Sequence, residues 1–273
     1  MTTNQTPGLL RPLNEFADAP DRPYLVCLPY AGGADRVFRT WAAPLAAAGV
    51  GLLAARLPGR AERVTETPYT DLDSLVADLA DATSARLAAR DFALYGHSMG
   101  AAVASALTLE LDRRALAPTR LFVGAHAAPR AARPWLGPAA ATDGEFLSWL
   151  GQLGLVDPAI LANDELVSLV LPGLRADFTL VRAYQARPHP RLPVPISVFG
   201  GRSDPLVDAA ALGAWAEATD ERPVVRVFPG GHLFPWEHPD RFVRTLVDDV
   251  AACFAGPFAA DPSGADAAHP ADA

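Results

Sequence analysis

Phe92-Ala93-Leu94-Tyr95-Gly96-His97-Ser98-Met99-Gly100-Ala101-Ala102-Val103-Ala104-Ser105-Ala106-Leu107 passes from an apolar run, through a serine set two residues from a glycine on either side, into an alanine-rich segment. The order predicts a strand, a sharp turn and a helix. A tight strand-to-helix turn tolerates little side chain at its flanking positions, which gives both glycines a reason. Such a turn lifts the Ser98 hydroxyl above the sheet at a helix N-terminus, where backbone amides can hold developing negative charge. Gly-x-Ser-x-Gly also arises by chance in small-residue loops, and the strand before it and helix after it select the nucleophilic reading.

Working outward, short apolar strands alternate with helical stretches, a pattern that predicts a mostly parallel central sheet with helices on both faces. Strands are expected at 24–28, 50–54, 92–95, 121–125, 195–200 and 224–228. Helices are expected at 38–48, 72–89 and 241–254, with Asp71 or Asp73 placed to cap the second. From about 129 to 191 the alternation stops. Helical signals at 146–153, 164–171 and 174–185, punctuated by Pro158 and Pro172, predict a lid inserted between strands. Residues 1–21 are read as an N-terminal extension and 22–254 as one domain. Residues 255–273 are too poor in large apolar groups to fold and are expected to be disordered.

The 273 residues are 50% hydrophobic and 20% charged, the balance of an ordinary globular protein. All 23 basic residues are arginine. Without lysine there is no Walker phosphate loop, pyridoxal Schiff base or Ser-Lys dyad. A net charge of -8 and the lack of a basic stripe argue against a nucleic-acid partner. No segment reads as a membrane span or a secretory leader, so a cytoplasmic protein is expected. Cys27 and Cys253 read as small buried hydrophobes, and neither metal nor cofactor is expected.

A serine alcohol needs a neighbouring base and a group that orients the base. Of the six histidines, His97 lies inside the turn and is expected to pack or hydrogen-bond locally, and His126 follows a strand, as a pocket residue would. His189 and His238 sit among prolines and charges, and His269 lies in the tail. His232 follows the last strand and a Gly-Gly pair, where a loop can swing an imidazole over Ser98. In α/β-hydrolases the order along the chain is nucleophile, acid, base. Asp204, after the 195–200 strand, fits the acid, with Asp208 its nearest competitor. No carboxylate follows the 121–125 strand until Asp143. The Met99 amide and an amide of the first strand's loop, Ala31 being the best placed, are expected to form the oxyanion hole.

The ordered pieces Leu28-Pro29-Tyr30-Ala31-Gly32-Gly33, Leu57-Pro58-Gly59-Arg60, Gly96-His97-Ser98-Met99-Gly100-Ala101, Leu171-Pro172-Gly173-Leu174-Arg175-Ala176-Asp177, Gly201-Arg202-Ser203-Asp204 and Pro229-Gly230-Gly231-His232 resemble the type II thioesterases that accompany polyketide and nonribosomal peptide synthases. The resemblance runs over roughly 22–254. It implies an α/β-hydrolase fold with a helical lid, and hydrolysis of acyl groups from the phosphopantetheine thiol of acyl or peptidyl carrier proteins. It also implies a catalytic Ser98, Asp204 and His232 and an oxyanion loop at Ala31. Tyr30, His97, His126, Leu233 and Phe234 are the expected pocket residues. Around His232-Leu233-Phe234-Pro235 the chain departs from the family's two aromatics followed by an aliphatic, which bears on the pocket wall. A carboxylesterase, a chain-releasing cyclase and a catalytically silent binding protein on the same fold remain the alternatives.

Overall fold

The computed structural model describes residues 8–19, 21–129 and 142–255. Within these, β1 (Leu10–Pro12), β2 (Tyr24–Leu28), β3 (Gly51–Ala55), β4 (Phe92–His97), β5 (Leu121–Gly124), β6 (Ile196–Gly201) and β7 (Val224–Phe228) form one sheet in the order β1-β3-β2-β4-β5-β6-β7. Only β1, at one edge, runs antiparallel to its neighbour. The helices are α1 (Ala42–Ala47), α2 (Leu72–Leu87), α3 (Met99–Arg113), α4 (Asp143–Gln152), α5 (Pro158–Leu161), α6 (Asp164–Gln185), α7 (Ala209–Gly213), α8 (Phe234–Glu237) and α9 (Pro239–Phe254). No helix among them is long and apolar enough to cross a membrane.

The two-residue period of a strand sends side chains to opposite faces. Tyr24, Val26 and Leu28 of β2, with Phe92 and Leu94 of β4, join the core beneath α2 and α3. Leu25 and Cys27, with Ala93 and Tyr95, join the core beneath α1 and α9. Both faces being covered explains why these strands are apolar throughout rather than alternating. Cys27 and Cys253 are buried free thiols. Burial pushes the Cys27 thiol well above its ordinary range and Cys253 up to about 12.

From β2 the chain crosses to β3 on one side, then returns to place β4 on the other side of β2. At such a reversal the carboxyl ends of two neighbouring strands leave a crevice. Leu28 pairs with Gly96 there, so the loops after β2 and β4 emerge side by side.

Three elements differ from expectation. The segment set apart as 1–21 contributes β1, and Leu9 beside it is fully buried. A strand of three residues carries too little periodicity to be read. The helix expected at 38–48 is a 3-10 turn, Asp35–Trp41, followed by α1. The two helices expected on either side of Pro172 are one, α6. Its buried stripe, Leu174, Asp177, Phe178, Val181 and Tyr184, lies wholly after the proline, while Val170 and Leu171 before it pack at helical spacing against the cluster of the inserted helices, so the apolar face runs on across Pro172. The expected disordered tail lies outside the described residues, apart from Ala255. The inserted helices α4, α5 and α6 lie between β5 and β6. Phe146, Leu150, Val156, Leu174 and Phe178 form an apolar cluster of their own there. Farther along α6, Leu180, Val181 and Tyr184 belong to the main core.

Candidate active site

Ser98 stands between the end of β4 and the first residue of α3 with φ +54° and ψ −114°. That conformation is costly for any residue with a Cβ, by about 1–3 kcal/mol, and persists only where its surroundings impose it. The surroundings are tight: a Cβ on Gly96 would lie 2.2 Å from the Gly100 carbonyl oxygen, and one on Gly100 would lie 2.1 Å from that of Leu28. The spacing of the two glycines is therefore steric. The Ser98 amide donates to Gly124 O at 2.8 Å, which ties the turn to β5.

His232 leaves the β7 end through Gly230, whose φ is +107°. Glu237 accepts the Gly231 amide at 2.9 Å and holds this loop against α8. His232 Nδ1 lies 2.9 Å from Asp204 Oδ2, and Nε2 lies 2.8 Å from Ser98 Oγ. A carboxylate only accepts, so Nδ1 carries the proton and Nε2 accepts the serine hydroxyl. The Asp204 side chain is wholly buried and its other oxygen accepts the Leu206 and Val207 amides, which fixes the carboxylate in the turn after β6. Asp208 caps α7 by accepting the Ala211 amide and takes no part.

Two cavities meet at Ser98, His126 and His232. One, about 400 Å³, is lined on its far side by Ala125, Ala127, Gln185 and the 204–208 turn. The other, about 20 Å³, is mostly apolar: Tyr30, Ala31, Met99, Leu150, Leu155, Leu174, Phe178 and Val181 enclose it. Ala31 and Met99 thus share a wall with Ser98. The Gly32 amide is committed to Asp177 and that of Gly33 to Tyr30 O. The Ala31 and Met99 amides have no acceptor among the described residues. Burial, reinforced by the charges of His232 and His189, lowers His126 to about 4, so its imidazole is neutral near pH 7.

Tyr30 and His126 line these cavities as expected of pocket residues, but three others do not. His97 is fully buried: its Nε2 lies 2.8 Å from the His232 carbonyl oxygen and its Nδ1 lies 3.0 Å from the Tyr95 hydroxyl. The carbonyl requires Nε2–H, which leaves Nδ1 to accept from Tyr95. Burial pushes His97 well below the ordinary histidine range, with the charge of His232 adding to it. Phe234 is also fully buried, stacked at 5.4 Å on Phe228, and belongs to the core. Leu233 is half-buried on the turn and lines neither cavity. The sequence alone does not single out the side chains of α4 and α6 that enclose the apolar cavity. Their periodic pattern announces a buried face without saying what the face covers. Among the described residues no group of three or more His, Cys, Asp or Glu could hold a metal ion.

A buried carboxylate, an imidazole and a strained serine in hydrogen-bonded series, beside uncommitted amides, can support acyl transfer through a covalent intermediate. A thioesterase domain family matches residues 23–250. The chain is 33% identical over 214 residues to the gramicidin S biosynthesis protein GrsT of Aneurinibacillus migulanus, spanning 78% of this chain and 83% of that one. The solved structure of the type II thioesterase BorB, from the borrelidin biosynthetic cluster, is 32% identical. It covers 92% of this chain and all of its own, with a TM-score of 0.78. YbtT, a type II thioesterase from the yersiniabactin NRPS/PKS pathway, is 29% identical over 90% of this chain and 100% of its own, with a TM-score of 0.79.

Proposed function

The chain belongs to the thioesterase family and is a hydrolase of thioesters with an α/β-hydrolase fold, and from that premise we propose that it is a type II, editing enzyme. Its substrates are acyl groups on the phosphopantetheine thiol of acyl or peptidyl carrier proteins that serve polyketide or nonribosomal peptide synthases. The observation that carries this reading is the hydrogen-bonded series from Ser98 through His232 to Asp204, flanked by the Ala31 and Met99 amides.

In the reaction, His232 Nε2 takes the Ser98 proton as Oγ attacks the thioester carbonyl. The Ala31 and Met99 amides donate to the resulting oxyanion, and Asp204 stabilises the imidazolium. Collapse breaks the carbon–sulfur bond, and His232 returns the proton to the departing thiolate. Water, deprotonated by the same imidazole, then attacks the acyl-serine and releases the carboxylic acid and free Ser98. The larger cavity suits the pantetheine arm and the apolar one the acyl group. A water molecule needs roughly 10–15 Å³ of such space, so 20 Å³ favours a short acyl chain.

The test is mass spectrometry of carrier proteins loaded with acyl chains of several lengths. The chain should release the acyl group and regenerate free thiol. Ser98→Ala should reduce the rate by at least about 10³-fold. Faster turnover of matched oxygen esters would overturn the reading in favour of a carboxylesterase. Failure of a fluorophosphonate to label Ser98 would favour a silent binding protein.

A further inference from the structure

Two sequence segments, Leu57-Pro58-Gly59-Arg60 and Leu171 to Asp177, have no part in the Ser98–His232–Asp204 series, yet they meet beside it. Arg60 grips Asp177 with two parallel hydrogen bonds, at 2.9 and 2.6 Å, although the residues are 117 positions apart. The arginine side chain is 8% exposed and the aspartate not at all. The contact is close along the backbone as well, since a Cβ on Gly173 would lie 2.5 Å from the Gly59 carbonyl oxygen.

The pair does more than neutralise itself. Asp177 Oδ2 also accepts the Gly32 amide at 2.7 Å, and Arg60 donates to the Gly33 carbonyl at 3.4 Å and to that of Pro58 at 3.3 Å. Gly32 and Gly33 follow Ala31 directly, and Gly32 has a φ of +78°. A glycine pair widens the choice of backbone conformation, so contacts from outside the loop add to the Gly33–Tyr30 turn bond in setting the direction of the Ala31 amide. A buried ion pair is a poor source of stability because desolvation offsets its attraction. A planar two-point guanidinium–carboxylate contact is nonetheless well suited to fixing geometry.

We propose that Arg60 and Asp177 are a positioning pair: they hold the Tyr30–Gly33 loop so that the Ala31 amide meets the oxyanion, and they tie that setting to α6. The inference rests on the thioesterase reading of Ser98 and extends it to residues that touch no reacting atom. Asp177 shares α6 with Leu174 and Phe178, which line the apolar cavity, so the helix that bounds the acyl group also anchors the oxyanion loop.

The test compares the full chain with Asp177→Asn and Arg60→Lys, using a short acyl-thioester substrate and two inhibitors. One is a trifluoromethyl ketone analogue, which forms a tetrahedral adduct on Ser98. The other is the matching non-hydrolysable thioether, which does not. In each variant kcat should fall about 10- to 100-fold while KM stays within about twofold. Ketone binding should weaken by the factor lost in kcat/KM, with thioether binding unchanged. The double variant should be little worse than either single one, because the two residues act as a unit.

Equal weakening of both inhibitors would overturn the proposal and leave a structural role. So would kcat within about twofold of the parent in a variant whose circular dichroism matches it. Arg60→Lys keeps the buried cation and carries the same comparison if Asp177→Asn does not fold. A parent chain inert on every thioester removes the underlying reading, and the pair's role with it, which is a different result from a selective loss in the variants.

Discussion

Ser98 pays for its position in backbone strain, and that strain can be measured apart from chemistry. At φ +54° and ψ −114° it occupies a region that glycine adopts freely and that a Cβ disfavours. Both Ser98→Ala and Ser98→Gly should be inactive, but alanine keeps the strain and glycine relieves it. Glycine also gains freedom in the unfolded chain, which offsets part of the relief. The net expectation is that Ser98→Gly is more stable than Ser98→Ala by about 1 kcal/mol in urea unfolding. Equal stability would mean that the turn imposes no strain. At this scale much of the site was legible. Ser98, Asp204 and His232 each follow a strand end, and their order along the chain narrows the choice. His97 was open to the same reasoning, because strand parity puts it on the face of Ala93 and Tyr95, against α8 and α9, and away from the cavities. Arg60 and Asp177 lie in segments that carry the family resemblance, but nothing local says that two residues so far apart will meet.

Among the elements, α6 shows how far pattern reading reaches. The sequence marks its residues as helical, but Pro172 argues for a break, because a proline removes a donor and usually ends a helix. The structure keeps one helix: Val170 and Leu171 before the proline and Leu174 and Phe178 after it pack in the same cluster of the inserted helices, and Leu180, Val181 and Tyr184 go on into the main core. Periodicity predicts a buried face, and only tertiary contact decides which neighbour it meets. With the acyl group in the apolar cavity, as proposed, α6 would set the acyl length. Phe178 is 9% exposed, lines the apolar cavity and packs edge-on against Phe146 at 5.2 Å. Phe178→Ala should cost about 3 kcal/mol in stability. It should also raise the ratio of kcat/KM for octanoyl over acetyl thioesters by about 10-fold or more, as each accommodated methylene is worth about 1 kcal/mol or more. An unchanged ratio, measured with matched carrier substrates, would show that the acyl group lies elsewhere.

For the whole molecule, the alternation of strands and helices was enough to read a parallel sheet covered on both faces. The lateral order was not legible, because the pairing of β2 with both β3 and β4 depends on contacts distant in sequence, and it is this pairing that opens the crevice at Ser98. The same two-sided burial has a consequence for pH. His97 and His126 are enclosed and neutral, the first pushed well below the ordinary histidine value and the second to about 4, chiefly by burial. In the unfolded chain both titrate near pH 6.5. Below that pH the unfolded state binds protons that the native state refuses, so stability is complete above about pH 6.5 and declines as pH falls toward the folded values. Between pH 7.5 and 5 the His126 imidazole should remove about 2 kcal/mol, and His97 acts in the same direction. Carboxylates scarcely enter that window, since their unfolded values lie near 4. Urea unfolding at pH 7.5, 6.0 and 5.0 should therefore show stability falling, and His126→Gln should remove about 2 kcal/mol of the fall. Stability that stays level down to pH 5 would mean that at least one imidazole reaches solvent or gains an acidic partner in the native protein.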